Sequence, residues 1–139
     1  MAKTISTILG IGFILVGIIG FIAPDIMGMH LSTVHNLVHL LSGVIALYFG
    51  FAATHAAARS FCIVFGLVYG LLGVLGFVLG NPGPERMLTL IPDQLMLGRM
   101  DHIVHIVLGA LFILGGLAPV PAATTTVVDV EEPPQGPLR

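Results

Sequence analysis

The chain has 139 residues, 56% of them apolar and 9% charged, with a mean hydropathy of +1.06 and a formal net charge of −2. Soluble domains carry about 25% charged residues, and five basic plus seven acidic side chains cannot clothe a water-facing surface on a chain of this length. A soluble globular enzyme, a disordered regulator and a nucleic-acid partner are thereby excluded, and the solvent is expected to be a lipid bilayer.

Residues 4–22 form an uncharged apolar run of the ~20 residues that a helix needs to cross ~30 Å of hydrocarbon. Lys3 in front of it is signal-peptide-like, but the run exceeds the roughly 7–15 residues of such a core and no small-residue cleavage site follows. It is therefore read as a retained span. Ala23-Pro24-Asp25 ends it, and Ser32 or Thr33 caps a second span over residues 33–51. Residues 55–59 read as a short connection to a third span, 61–80, closed by Asn81-Pro82-Gly83-Pro84. A longer loop carrying Glu85, Arg86, Asp93 and Arg99 leads to a fourth span, 101–117, ended by Pro119 and Pro121. In it, Pro92-Asp93 matches Pro24-Asp25, and both pairs are expected to start helical turns with the Asp as cap. Residues 122–139 are polar and read as a disordered tail, leaving a transmembrane domain over 1–121.

Lipid offers no partner to a free amide, so these runs are helices; the period-two alternation of a barrel strand is absent. Lysine and arginine divide evenly, Lys3 and Arg59 on the side of the termini and Arg86 and Arg99 opposite. The short 55–59 connection, which reads as cytoplasmic, and the mixed-charge 81–100 loop, which reads as external, favour cytoplasmic termini in a bacterial inner membrane. The one cysteine, Cys62, excludes an internal disulfide and reads as a small apolar residue at a helix end.

The second half of the chain echoes the first. Phe13 to Phe21 lies over Tyr69 to Phe77, placing Gly17 and Gly20 on Gly73 and Gly76. Asn36, His39, Gly43 and Gly50 lie over His102, His105, Gly109 and Gly116. The predicted fold is an all-α integral membrane four-helix bundle of two tandem hairpin repeats, about 4–53 and 61–117, related by a pseudo-twofold axis along the membrane normal. Gly66, Gly70, Gly73, Gly76 and Gly80 share one face of the third helix, as a close helix–helix contact requires or as a flat cofactor would.

Six histidines are many for so apolar a chain. His35, His39, His102 and His105 open the second and fourth helices at one membrane surface, with Asp101 one turn before His105. The repeat brings His39 and His105 together near the axis, with His35, His102, Asp101 and Asn36 around them, and His30 as a further candidate from the first loop. Polar groups at such depth face the bundle interior and need partners. Asp101 is expected to accept the His105 ring N–H. Four roles fit: hydrogen bonding between helices; a divalent metal on His35, His39, His102, His105 and Asp101; a haem b between axial His39 and His105, with Arg99 near a propionate; or proton handling. No phosphate loop, nucleophile elbow, zincin or haem-attachment motif is present.

Asn36-Leu-Val-His39-Leu-Leu-Ser-Gly43, the glycine-rich segment 68–80 and Asp101-His102 through Gly109 resemble a bacterial family of small four-helix membrane proteins, domain of unknown function 4383. The resemblance spans residues 8–116 and implies the fold without assigning a chemistry. The expected role is non-enzymatic, an accessory or binding component in the bilayer, alone, as a homo-oligomer or within a larger membrane complex. The alternatives are a haem- or metal-binding redox subunit and a small proton-coupled transporter, the last disfavoured by the lack of charge along the spans.

Overall fold

The computed structural model describes residues 1–26 and 28–119; the predicted tail, 122–139, lies outside them. Four helices run α1 Ala2–Ile22, α2 Thr33–Phe51, α3 His55–Leu79 and α4 Arg99–Leu117, and all four are long and apolar enough to cross a membrane. This is a multi-pass membrane protein built as a four-helix bundle. Helices α1 and α2 pack along one another, as do α3 and α4, and the two hairpins meet where α1 lies against α3 and α4.

Helices α2, α3 and α4 each begin at a side-chain cap. The Ser32 hydroxyl accepts from the His35 N–H at 3.2 Å, Thr54 accepts from Ala57 N–H at 3.2 Å, and the Asp101 carboxylate accepts from Gly98 N–H at 2.8 Å. Basic side chains close the opposite ends. Lys3 Nζ donates to the Phe51 carbonyl at 3.2 Å, Arg59 Nε to that of Gly116 at 3.0 Å, and the Arg86 guanidinium to that of Phe77. Each satisfies a carbonyl at the negative end of a helix dipole.

Three expectations are corrected. The third helix starts at His55 rather than residue 61, because Thr54 caps it and Arg59 donates across to α4 instead of ending the span. Cys62 consequently sits inside α3, fully buried, with its sulfur 3.2 Å from Ser6 Oγ. The Pro-Asp pairs start no helical turns. Asp25 opens a two-stranded hairpin of β1 Asp25–Ile26 and β2 Met29–His30, in which Gly28 holds φ 79°. A second hairpin pairs β3 Leu88–Ile91 with β4 Leu95–Leu97. Pro92 and Asp93 form its turn, Asp93 at φ 57° and Gln94 N–H donating to the Ile91 carbonyl at 3.1 Å. An aspartate tolerates this left-handed corner better than most residues.

Glycine sets the distance between the helices of each hairpin, and the contacts recur at matched positions. A Cβ on Gly17 would meet the Asn36 carbonyl and Leu40; on Gly73 it would meet the His102 carbonyl and Ile106. A Cβ on Gly43 would meet Ile14 and the Gly10 carbonyl; on Gly109 it would meet Gly70 and the Gly66 carbonyl. The α3 glycine face is thus filled by the α4 backbone at Gly66 and Gly73, by the His102 ring at Gly76 and by Arg86 at Gly80, and has no room for a flat cofactor. Residues matched by the sequence repeat also touch each other where α1 meets α3. Ser6 lies against Cys62, and the ring centroids of Phe13 and Tyr69 are 5.3 Å apart. Around Phe13 and Tyr69, the rings of Phe61, Phe65 and the fully buried Phe112 form the core.

A three-imidazole cluster between two cavities

The Ser32 cap puts His35 in the first turn of α2 and His39 one turn deeper, on the buried face continued by Ser42, Gly43 and Ala46. On α4 the same face carries Asp101, His102, His105 and Gly109. His35, His39 and His105 come together: the His35 centroid lies 4.5 Å from that of His39 and 6.4 Å from that of His105. Phe13 stands 5.8 Å from His39, and Tyr69 stacks on His105 at 5.2 Å. With the Phe13–Tyr69 contact this is a closed circuit of five rings. All three histidines are less than a tenth exposed.

His105 is held as expected in kind but not in detail. Its Nδ1–H donates to the backbone carbonyl of Asp101 at 2.5 Å, not to the carboxylate, which is engaged in capping Gly98. In the neutral ring that bond places the lone pair on Nε2.

Among the described residues, four buried acceptors or ring nitrogens have no hydrogen-bond partner: His35 Nδ1, His39 Nδ1, Asn36 Oδ1 and His102 Nδ1. The last two share one explanation. Each is seated where a Cβ would stand on a glycine of the neighbouring helix, Asn36 on Gly20 and His102 on Gly76. There the glycine Cα–H is a weak donor, an arrangement credible because it recurs in both hairpins. His35 and His39 have no such seat.

His102 stands outside the cluster. Its Nε2–H donates to the Arg86 carbonyl at 2.8 Å and its ring meets Phe77 edge-on, 5.3 Å away, against α3. The sequence put His102 beside His105 because they share a helix; three residues rotate it towards the neighbouring helix instead. Arg86, missed by the sequence reading, is the organiser here. At φ 48° it presents its carbonyl to His102 while its guanidinium closes α3. His30 is also elsewhere, exposed and donating from Nδ1 to Asp25 Oδ1 at 2.7 Å.

Two cavities flank the cluster, and His35, His39 and His105 line both. One, about 180 Å³, lies between α1 and α4; the other, about 250 Å³, lies between α2 and α3 beneath the β3–β4 hairpin. Their walls correspond along the sequence repeat: Leu9, Phe13, Val16 and Leu108 in the first stand where Phe65, Tyr69, Leu72 and Ser42 stand in the second. A larger cleft of about 600 Å³ opens between Ser32, His30 and Gln94 and is lined by none of the three clustered histidines.

A haem b on His39 and His105 does not fit this arrangement. The five rings close on one another, and neither cavity reaches the roughly 300 Å³ at the small end of cofactor sites. Nor, among the described residues, do three His, Cys, Asp or Glu side chains converge so as to hold a metal ion. Asp101 is turned to its cap and His102 to Arg86.

The model of the family described as Domain of unknown function (DUF4383) matches residues 3–118, from the first helix through the fourth. The chain belongs to the DUF4383 family. No curated protein and no solved structure matches it. For this DUF4383 chain the family therefore supports the bundle, and the chemistry rests on the residues themselves.

Proposed function

We propose that this DUF4383 protein is a non-enzymatic binding or accessory component of a bacterial inner membrane, with His35, His39 and His105 as its binding element. One observation carries the reading: two buried imidazole nitrogens, His35 Nδ1 and His39 Nδ1, find no partner among the described residues, in a cluster that borders two cavities. A buried polar atom without a hydrogen bond costs about 1–3 kcal/mol, and a bound molecule that supplies the bond recovers it. Protein purified in mild detergent is expected to carry a bound small molecule, detected by mass spectrometry of an organic extract alongside elemental analysis. His39→Ala and His105→Ala should each remove it while keeping a cooperative thermal melt. Identical extracts from wild type and both variants would overturn the proposal.

The bundle is further read as a duplicated hairpin, supported by the matched glycine contacts and the matched cavity walls. Both termini are read as cytoplasmic. Lys3 and Arg59, at equivalent positions of the two halves, lie at that surface and Arg86 and Arg99 at the other, so the reading rests on the short connection between α2 and α3 against the long mixed-charge loop between α3 and α4. A green fluorescent protein fused after residue 139 should fluoresce, and alkaline phosphatase fused there should be inactive. The reverse pattern would invert the topology.

A further inference from the structure

The two cavities have corresponding walls but different chemistry, and the difference points to a ligand. Between α1 and α4 the counterparts of Tyr69 and Ser42 are Phe13 and Leu108, with no hydroxyl on either; Asp101 also lines that cavity, its carboxylate accepting from Gly98 N–H. Between α2 and α3 the Tyr69 hydroxyl donates to Ser42 Oγ at 3.0 Å, leaving the serine hydrogen free to turn elsewhere. This second cavity thus has a polar end, made by Ser42, Tyr69 and the histidines, and an apolar remainder. We propose that it takes the hydroxyl-bearing ring of a lipid-soluble phenol or quinol, the hydroxyl donating to His105 Nε2. The proposal rests on the reading of the histidines as a binding element and names what one of them, His105, binds; it does not use the unpartnered Nδ1 atoms of His35 and His39.

Three properties select this class. First, the Asp101 carbonyl fixes His105 as an acceptor at Nε2, so the ligand must bring a donor. The same ligand oxygen can accept from Ser42, which only a hydroxyl among simple neutral groups allows. Second, a dry cavity of about 150 Å³ accommodates benzene, so about 250 Å³ holds a substituted ring and not a much larger head. Third, the cavity has lipid-facing edges: Val68 is 55% exposed and Leu90 45%. Val68 lies on the α3 span and in a bilayer meets hydrocarbon, so a ligand enters sideways past it, under Leu90 of the hairpin, and leaves its tail in the membrane.

The test uses full-length protein with ¹⁵N-labelled histidine in phosphatidylcholine nanodiscs and 4-nonylphenol as the probe. Nonylphenol should saturably shift the His105 Nε2 resonance, and nonylbenzene, which lacks the hydroxyl, should not. Val68→Phe, which fills the cavity from its lipid edge, should weaken binding at least about tenfold. Gly12→Leu, on the wall of the other cavity with nothing within 4 Å of its Cβ position, should leave binding unchanged. Should Val68→Phe fail to fold, Ser42→Leu with Tyr69→Phe replaces the two hydroxyl-bearing residues of the second cavity by their counterparts in the first and should abolish the shift. Equal responses to nonylphenol and nonylbenzene, or loss in Gly12→Leu instead of Val68→Phe, would overturn the ligand class or the cavity. A histidine-dependent co-purifying molecule would then still uphold the binding element. If no histidine responds to nonylphenol and no such molecule is found, both readings fall.

Discussion

Gly73→Leu is expected to separate α3 from α4 and to lower stability by about 3 kcal/mol or more, at the upper end of overpacking effects. The Cβ alone would stand 2.6 Å from the His102 carbonyl oxygen and 2.9 Å from the Ile106 nitrogen. Both are helix backbone, so no rotamer change relieves the contact and the helices must move apart. In lipid that loss is not offset, because association depends on close packing and not on escape from water. Thermal unfolding in detergent measures it, with Gly70→Ala as the control. At Gly70 a Cβ would lie 3.9 Å from the Gly109 Cα, an ordinary contact, and alanine gains roughly 0.5–1 kcal/mol of helix propensity. A Gly73→Leu protein that melts with wild type would show that this face is not an interface.

His102→Leu is expected to destabilise by about 1–3 kcal/mol, because it leaves the Arg86 carbonyl without its donor. His102→Asn should recover most of that loss. Asparagine already occupies the equivalent place in the first hairpin, where Asn36 Nδ2 donates to the Leu31 carbonyl at 3.3 Å against Gly20. Neither change should affect ligand binding, since His102 lines neither cavity. Thermal melts together with the histidine spectra of the two variants separate the outcomes. A His102→Leu protein of wild-type stability, or one that loses the ligand as His105→Ala does, would show that His102 is not the structural residue assigned here.

The two histidines of α4 show what could be read in advance. Their residue types and their depth near one membrane surface follow from one chain, because a helix fixes both rise and rotation. Which neighbour each meets depends on where α3 lies, and that is decided by Gly109 closing on Gly66 and Gly70 and by Gly73 closing on the His102 carbonyl and Ile106. His102 therefore went with His105 on paper and with Arg86 in the bundle. The α3 start is hidden for a related reason: in the sequence the charge of Arg59 marks the end of a span, whereas in the bundle its Nε donates to the Gly116 carbonyl. The Pro-Asp turns were visible as breakers, but strands of two to four residues have too short a pattern to declare themselves.

Five basic and seven acidic side chains among 139 residues determined the solvent, the number of helices and the rough limits of each, because crossing hydrocarbon is a constraint on composition and length. The repeated glycines and histidines determined which positions correspond. Only the tertiary structure decided that three imidazoles meet, that a backbone carbonyl and not Asp101's carboxylate orients His105, and that the cluster borders two cavities of unequal polarity. Those are properties of the space between helices, set by packing distances of a few ångströms that no single helix encodes.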